Sequence, residues 1–245
     1  MIDVSQFNGQ IRWGNVPRAT RTLIRVTFGE GGVDTLGARN LSGARGAGLP
    51  TGGYHFLEDG TGALEIANFL HHFDPRPGGL RGMIDVEPSA YSHPTAGRVL
   101  AAITAYRGMA GHDPIVYGTH DVLAALALPE SIRSCPLMLA GYGPNDGLEH
   151  PPGPAPAPWT SIAAHQYTSV GSVPGVPSHV DMSRIYDQAA LLVPKPRTLL
   201  DRWRVAYIDK DHRQSSALTR TPGLWVCRHP RAKGRGPITI TPHRR

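Results

Sequence analysis

Cysteine is scarce in this chain: two residues in 245, Cys135 and Cys227, far apart in sequence. Two isolated thiols make neither a disulfide framework nor a metal motif, and they establish no oxidising compartment. Cys135 reads as a small buried apolar residue, and Cys227 carries no information. No apolar run approaches the ~18 residues of a membrane span. The N-terminus MIDVSQ lacks the basic region and apolar stretch of a secretory signal, so the expectation is a chain made in soluble form. No G-x-G-x-x-G follows the first apolar run and no G-x-x-x-x-G-K-[ST] occurs, which removes the usual signatures of nucleotide-binding open sheets. No H-E-x-x-H or comparable spacing offers a metal site either.

Lysine is also nearly missing, with three residues against 22 arginines, and all three lie beyond residue 194. Residues 1 to 194 hold 12 Arg and 16 acids, a net −4, whereas residues 195 to 245 hold 13 basic residues and three acids, a net +10. The basic character of the whole is therefore a property of its tail. Such a segment is either a solvated, partly disordered extension or a surface for an anionic partner. Glycine and proline are plentiful, 29 and 23 residues, about a fifth of the chain against a usual ~12 %. A loop-rich fold with long connections follows.

Short apolar runs alternate with stretches of helical period. Leu23 to Val26, Gly53 to Phe56, Met83 to Val86, Pro114 to Tyr117, Leu137 to Ala140 and Ser161 to Gln166 read as strands, preceded by Ile2 to Val4 and followed by the run around HVDMSRI. Residues 63 to 73 and Pro94 to Met109 read as amphipathic helices, the second with Ser92 placed to cap it and Pro94 in its first turn. Leu36 to Ala47 and Asp121 to Leu126 are weaker helices. Repeated strand and helix alternation predicts an α/β fold with a largely parallel sheet covered by helices. Without a nucleotide signature, a TIM-like β/α barrel over residues 1 to 194 is preferred to an open sheet. HPPGPAPAPW, residues 150 to 159, reads as an extended loop. In the tail, RWRVAYID, GLWVC and GPITI form three short strands of a small β module, or the last fifty residues are loosely ordered.

In a barrel, functional residues gather at the C-terminal ends of the strands. There the chain carries Asp3, then Tyr54-His55-Phe56, then Asp85 and Glu87 in MIDVEP, then Tyr117, Tyr142 and Gln166-Tyr167, with Asp181 in the last run. Residues two apart on a strand face the same way, about 6 to 7 Å apart along it. Asp85 and Glu87 therefore share one face, and their repulsion pushes one toward its protonated form. Carboxylates with aromatic platforms and no nucleophile dyad suit cleavage of a glycosidic bond: one acid protonates the leaving oxygen, another stabilises or attacks the cationic centre. A catalytic metal is the weaker reading, because His71 and His72 are adjacent on a helix and face different ways, and His55 has no partner at metal-ligand spacing.

Seven separate stretches, DVSQFNGQIRW, LIRVTFGEGGVD, GAGLPTGGYHF, MIDVEP, PIVYGTH, LAGYGPN and HQYTSVGSVPGVPSHVD, stand in order between residues 3 and 181. They resemble glycoside hydrolase family 25, the Chalaropsis-type lysozymes, over about 190 residues. The resemblance implies a modified β/α barrel and an N-acetylmuramidase acting without cofactor or metal on bacterial peptidoglycan. By position, Glu87 matches the general acid and Asp85 the second acid. Asp3 and Asp181 match the remaining cleft carboxylates, and Tyr54, Tyr117, Tyr142 and Gln166 match sugar-subsite residues. Arg25 is expected to neutralise the acidic cleft and Trp13 to pack in the core. The chain departs from the family pattern at three places, the pair Leu137-Met138, His165 and Ser183, and none removes a carboxylate. Family 18 chitinases are a poorer match, since their D-x-D-x-E would need Asp where Met83 stands. A silent glycan-binding barrel is a second alternative, which the intact carboxylates oppose. The absence of a signal further resembles a phage endolysin, made in the host cytoplasm and acting on the wall after release, with a bacterial autolysin exported by another route as the alternative. The basic tail then reads as an anchor to anionic wall polymers, with no nucleic-acid partner and no membrane span.

Overall fold

The computed structural model describes residues 1–194 and three further backbone segments, 218–221, 224–227 and 238–239. The chain divides into two units, Met1–Lys195 and Pro196–Arg245. The first contains nine strands: β1 (Ile2–Val4), β2 (Thr22–Phe28), β3 (Gly32–Val33), β4 (Thr51–Phe56), β5 (Met83–Asp85), β6 (Ile115–Thr119), β7 (Leu137–Ala140), β8 (Ala164–Gly171) and β9 (Val180–Ile185). Eight of them close into a barrel in the order β1, β2, β4, β5, β6, β7, β8, β9, with β9 returning to β1 and β3 appended to β2. Neighbours from β1 round to β8 run parallel, but β9 is antiparallel to both β8 and β1. β9 follows β8 too closely for a crossover helix, so the chain turns back, and parallel pairing is impossible there.

Helices α1 (Gly37–Gly46), α2 (Gly62–His72), α3 (Ala96–Ala110) and α4 (His120–Ala125) fill successive crossovers, and α5 (Gln188–Leu191) follows β9. Between β7 and β8 no helix forms, and the proline-rich stretch occupies that connection. The expected cap of α3 is corrected. Thr95 is the N-cap, its hydroxyl accepting from the Arg98 amide, whereas the buried Ser92 hydroxyl donates to the Leu57 carbonyl at 2.7 Å. The helix begins only after Pro94, because the residue before a proline is biased away from the helical region. Gly111, at φ 74°, ends it in the left-handed conformation that glycine adopts without steric cost. The seventh expected strand also begins later, at Ala164 rather than at residue 161, and runs on to Gly171.

Strand alternation sorts the side chains into two layers. Ile24, Val26, Ile84, Val86, Val116, Leu137 and Leu139 face outward and pack with Ile66 and Phe69 of α2, with Phe73 just beyond it, and with Val99, Ile103 and Tyr106 of α3. Leu23, Met83, Ile115, Met138 and Ala164 face the lumen and fill it with Leu80 and Leu191. Each large side chain so buried contributes roughly 1.5–3 kcal/mol. Trp13 lies in the outer core as expected, its indole donating to Asn40 Oδ1 at 3.3 Å. A Cβ on Gly43 would overlap that indole, which accounts for glycine within α1. Cys135 is a buried free thiol pushed up to about 12 by desolvation and by the charge of Asp113.

In the second unit, β10 (Leu218–Thr221), β11 (Leu224–Cys227) and β12 (Ile238–Thr239) form an antiparallel sheet in that order. Two of these strands fall within GLWVC and GPITI. The stretch RWRVAYID lies outside the described residues. Among the described residues, no helix is long and apolar enough to cross a membrane.

Candidate active site

The alternation that sends Ile84 and Val86 outward sends Asp85 and Glu87 inward, just where β5 ends and the lumen opens. Asp3 on β1 occupies the same inward position and is paired in register with Asp181 on β9. Because β9 runs antiparallel, Asp181 reaches this end of the barrel from the start of its strand rather than from its C-terminal end. Arg25, Tyr54, Tyr117 and Gln166 join them from β2, β4, β6 and β8, and Tyr142 from the loop after β7. Chain closure thus brings residues from both ends of the unit into one cluster.

Hydrogen bonds join this cluster. Gln166 Nε2 donates to both Asp3 oxygens at 3.0 Å, and its Oε1 accepts from the Tyr117 and Tyr142 hydroxyls, each at 2.7 Å. The Tyr117 hydroxyl also lies 3.3 Å from Glu87 Oε1. Asp85 is different, since its buried Oδ1 has no hydrogen-bond partner among the described residues. Asp3 and Asp85 are 5 % and 6 % exposed, whereas Glu87 is half-buried.

Burial and mutual repulsion set the protonation of these groups. Desolvation, then the Asp181 charge, raises the Asp3 carboxyl well above the usual carboxylate range, with the Gln166 hydrogen bond opposing. Desolvation, then Glu87 and Asp3, does the same to Asp85, with Arg25 opposing. Glu87 is raised by burial and by Asp181, against the Tyr117 hydrogen bond. Asp181 is raised by burial and held back by the neighbouring Asp3 carboxyl. The Tyr54, Tyr117 and Tyr142 phenols are all pushed up, first by burial and then by the surrounding acids. At neutral pH the site holds protonated phenols and carboxyls that resist ionisation, the condition a general acid requires.

Arg25 is committed mainly elsewhere. Its Nε donates to Asp34 Oδ2 at 2.9 Å, and the Phe7 ring lies 4.8 Å from its guanidinium carbon. Its charge still opposes the rise at Asp85 and Tyr54. His55, next to Tyr54 in sequence, points out of the lumen, between Thr27 Oγ1 at 2.8 Å and Glu65 Oε2 at 3.0 Å, and is fully buried. His71 and His72 meet edge to face on α2, away from the carboxylates. Among the described residues, no group of three or more His, Cys, Asp and Glu is arranged to hold a metal ion. Two clefts of about 450 and 380 Å³ lie at the opposite end of the barrel, around Arg21 and Ile185 and around Trp159 and Asp187, and contain none of the four carboxylates.

Sequence reasoning passed over Phe7 and Tyr91, which stand 77 % and 74 % exposed on the loops that follow β1 and β5. Phe7 is held firmly. Ser5 and Asn8 close a capping box around its turn, the Gln6 amide donates to Asp34 Oδ2, and Gln6 Oε1 accepts from Thr35. The available signal was an aromatic residue four positions after the first acid, in a turn that places it at the site's end of the barrel.

The family model of glycosyl hydrolases family 25 matches residues 2–176, a span that includes Asp3, Asp85, Glu87 and Gln166 and ends just short of Asp181. No curated protein matches the chain by sequence. Among solved structures, a bacterial lysozyme from Streptomyces coelicolor is similar at 22 % identity with a TM-score of 0.67, covering 78 % of this chain and 93 % of that one. A family 25 lysozyme from Aspergillus fumigatus is similar at 23 % identity with a TM-score of 0.61, covering 82 % and 96 %. The catalytic domain of an endolysin from a bacteriophage of Listeria monocytogenes is similar at 18 % identity with a TM-score of 0.59, covering 78 % and 93 %. These likenesses establish the barrel, and the family match, spanning well over half of the residues, establishes the lineage: the chain belongs to the glycosyl hydrolases of family 25.

Proposed function

We propose that this glycoside hydrolase is a lysozyme that cleaves the β-1,4 bond from N-acetylmuramic acid to N-acetylglucosamine in bacterial peptidoglycan, with Glu87 as its general acid. The observation that carries the assignment is a contrast within one cluster. Asp3 and Asp85 are almost wholly buried, whereas Glu87 combines a raised pKa with access to solvent at the mouth of the lumen. Glu87 protonates the glycosidic oxygen as the bond to the anomeric carbon breaks, and the carboxylate so formed then takes a proton from the water that completes hydrolysis. Asp85 stabilises the developing positive charge.

Digestion of purified peptidoglycan by wild type and Glu87→Gln, followed by borohydride reduction and mass spectrometry, tests this reading. Reduced muramic acid ends from wild type and a loss of about 10²–10⁴-fold in the variant are expected. Reduced glucosamine ends, or equal activity of the two proteins, overturn it.

The same reading includes action on the wall after release from the cytoplasm, and a wall-anchoring role for the net +10 segment, residues 195 to 245. Charge complementarity with anionic wall polymers supports that role. Deleting residues 197 to 245 is expected to weaken sedimentation with purified walls in a salt-sensitive way while sparing hydrolysis of soluble fragments. Unchanged binding counts against the anchor.

A further inference from the structure

Gln166 is buried, and its side chain is fully engaged inside the protein. Oε1 accepts from two phenols and Nε2 donates to Asp3. An amide oxygen has two lone pairs, so Oε1 is saturated and no acceptor remains for a sugar hydroxyl. Turning the amide round would set Oε1 against both Asp3 oxygens, at most one of which carries a proton, so Asp3 favours the orientation observed.

Tyr117 stands between two acceptors, Gln166 Oε1 at 2.7 Å and Glu87 Oε1 at 3.3 Å, with one proton to give. The shorter contact takes it while Glu87 is protonated, and the longer one receives it when Glu87 is ionised, the state that the Tyr117 hydrogen bond favours. Toward protonated Glu87 the phenol presents only a lone pair, which suits a carboxyl that still carries its proton. Once that proton has passed to the glycosidic oxygen and the C–O bond has broken, Glu87 is a carboxylate and the stronger acceptor of the two. The Tyr117 O–H then turns from Gln166 to Glu87, and no proton leaves the phenol.

We propose that Gln166 is a positioning residue that holds the Tyr117 hydroxyl proton away from Glu87 until Glu87 has delivered its own. This rests on the reading of Glu87 as the acid. The groups that face Glu87 are Asp85 at the end of β5, Asp3 from β1, Tyr117 from β6, Tyr142 from the loop after β7 and Asp181 from β9, with Arg25 of β2 acting on Asp85.

The test is the pH profile of kcat/KM on soluble peptidoglycan fragments for wild type, Gln166→Met, Tyr117→Phe, the double variant and Glu87→Gln, with circular dichroism to verify folding. Gln166→Met frees Tyr117 to stabilise ionised Glu87, so the alkaline limb moves to lower pH. On that limb kcat/KM falls roughly ten-fold, the equivalent of one hydrogen bond to a charged group. Tyr117→Phe removes the donor and moves the limb to higher pH, and adding Gln166→Met to it produces no further displacement. An even loss at all pH values in Gln166→Met, or a displacement that persists without the Tyr117 hydroxyl, overturns the proposal. If Gln166→Met does not fold, Gln166→Asn, too short to reach Tyr117 from the same backbone position, is measured in its place with the same outcomes overturning the proposal. Full activity in Glu87→Gln would instead remove the assignment of the acid itself.

Discussion

Asp85→Asn should weaken the enzyme and strengthen the fold, and the two effects have one cause. Asp85 is 6 % exposed, its Oδ1 is buried without a partner, and Glu87 and Asp3 crowd it with negative charge. Its folded-state pKa is raised well above that of an unfolded aspartate, about 3.9. The sign follows from linkage: below the unfolded pKa both states are protonated and nothing is lost. As pH rises toward the raised folded value, the unfolded chain releases a proton that the folded one retains, and stability falls. Asparagine has nearly the same shape and does not ionise, so it avoids this loss. Desolvating a partnerless buried group costs roughly 1–3 kcal/mol and more when it is charged; asparagine remains polar and removes only the charged part, so a gain of about 1–3 kcal/mol is expected at pH 7. At about 2–4 °C per kcal/mol for a domain of this size, the melting temperature rises by about 2–12 °C. Activity drops by about 10²–10³-fold, the usual loss when a group that stabilises developing charge is removed. Thermal melts of both proteins at pH 3.5 and pH 7, with wall-digestion rates, provide the measurement. A variant less stable than wild type at pH 7, or a gain of equal size at pH 3.5, refutes the reasoning.

Glu65 lies fully buried on the outer face, where it accepts from the Glu58 amide at 2.8 Å and contacts His55 Nε2 at 3.0 Å. Glu65→Ala orphans both, and chemical denaturation should register a loss of about 3–5 kcal/mol; a loss below about 1 kcal/mol would show that the pair does not brace β4 against α2. Phe7, with the Arg25 guanidinium beside its ring, offers an exposed apolar surface near the site. Phe7→Ala is expected to raise KM several-fold with kcat unchanged, the signature of lost uniform binding; a lower kcat at unchanged KM would assign Phe7 to the chemistry instead.

Much of the fold was legible because strand alternation is a local property. The inward placement of Asp85 and Glu87 follows from the two-residue period of an extended chain and needs no knowledge of what lies opposite. The order of strands and crossover helices was readable for the same reason, from apolar runs and helical periods. The cap of α3 was misread because Ser92 and Thr95 are both good capping residues. Only the fold shows that Ser92 is turned away to satisfy the Leu57 carbonyl, some thirty-five residues distant.

By itself, then, the sequence determined which residue types reach one end of the barrel, and in what order around it. Tertiary structure decided what each polar atom does there. It reversed β9 so that Asp181 meets Asp3, gave Arg25 to Asp34, and sealed Gln166 among Asp3, Tyr117 and Tyr142. The physical reason is range. Side-chain direction is dictated by covalent geometry over two or three residues, whereas desolvation and hydrogen-bond partnership depend on strands brought together only when the barrel closes.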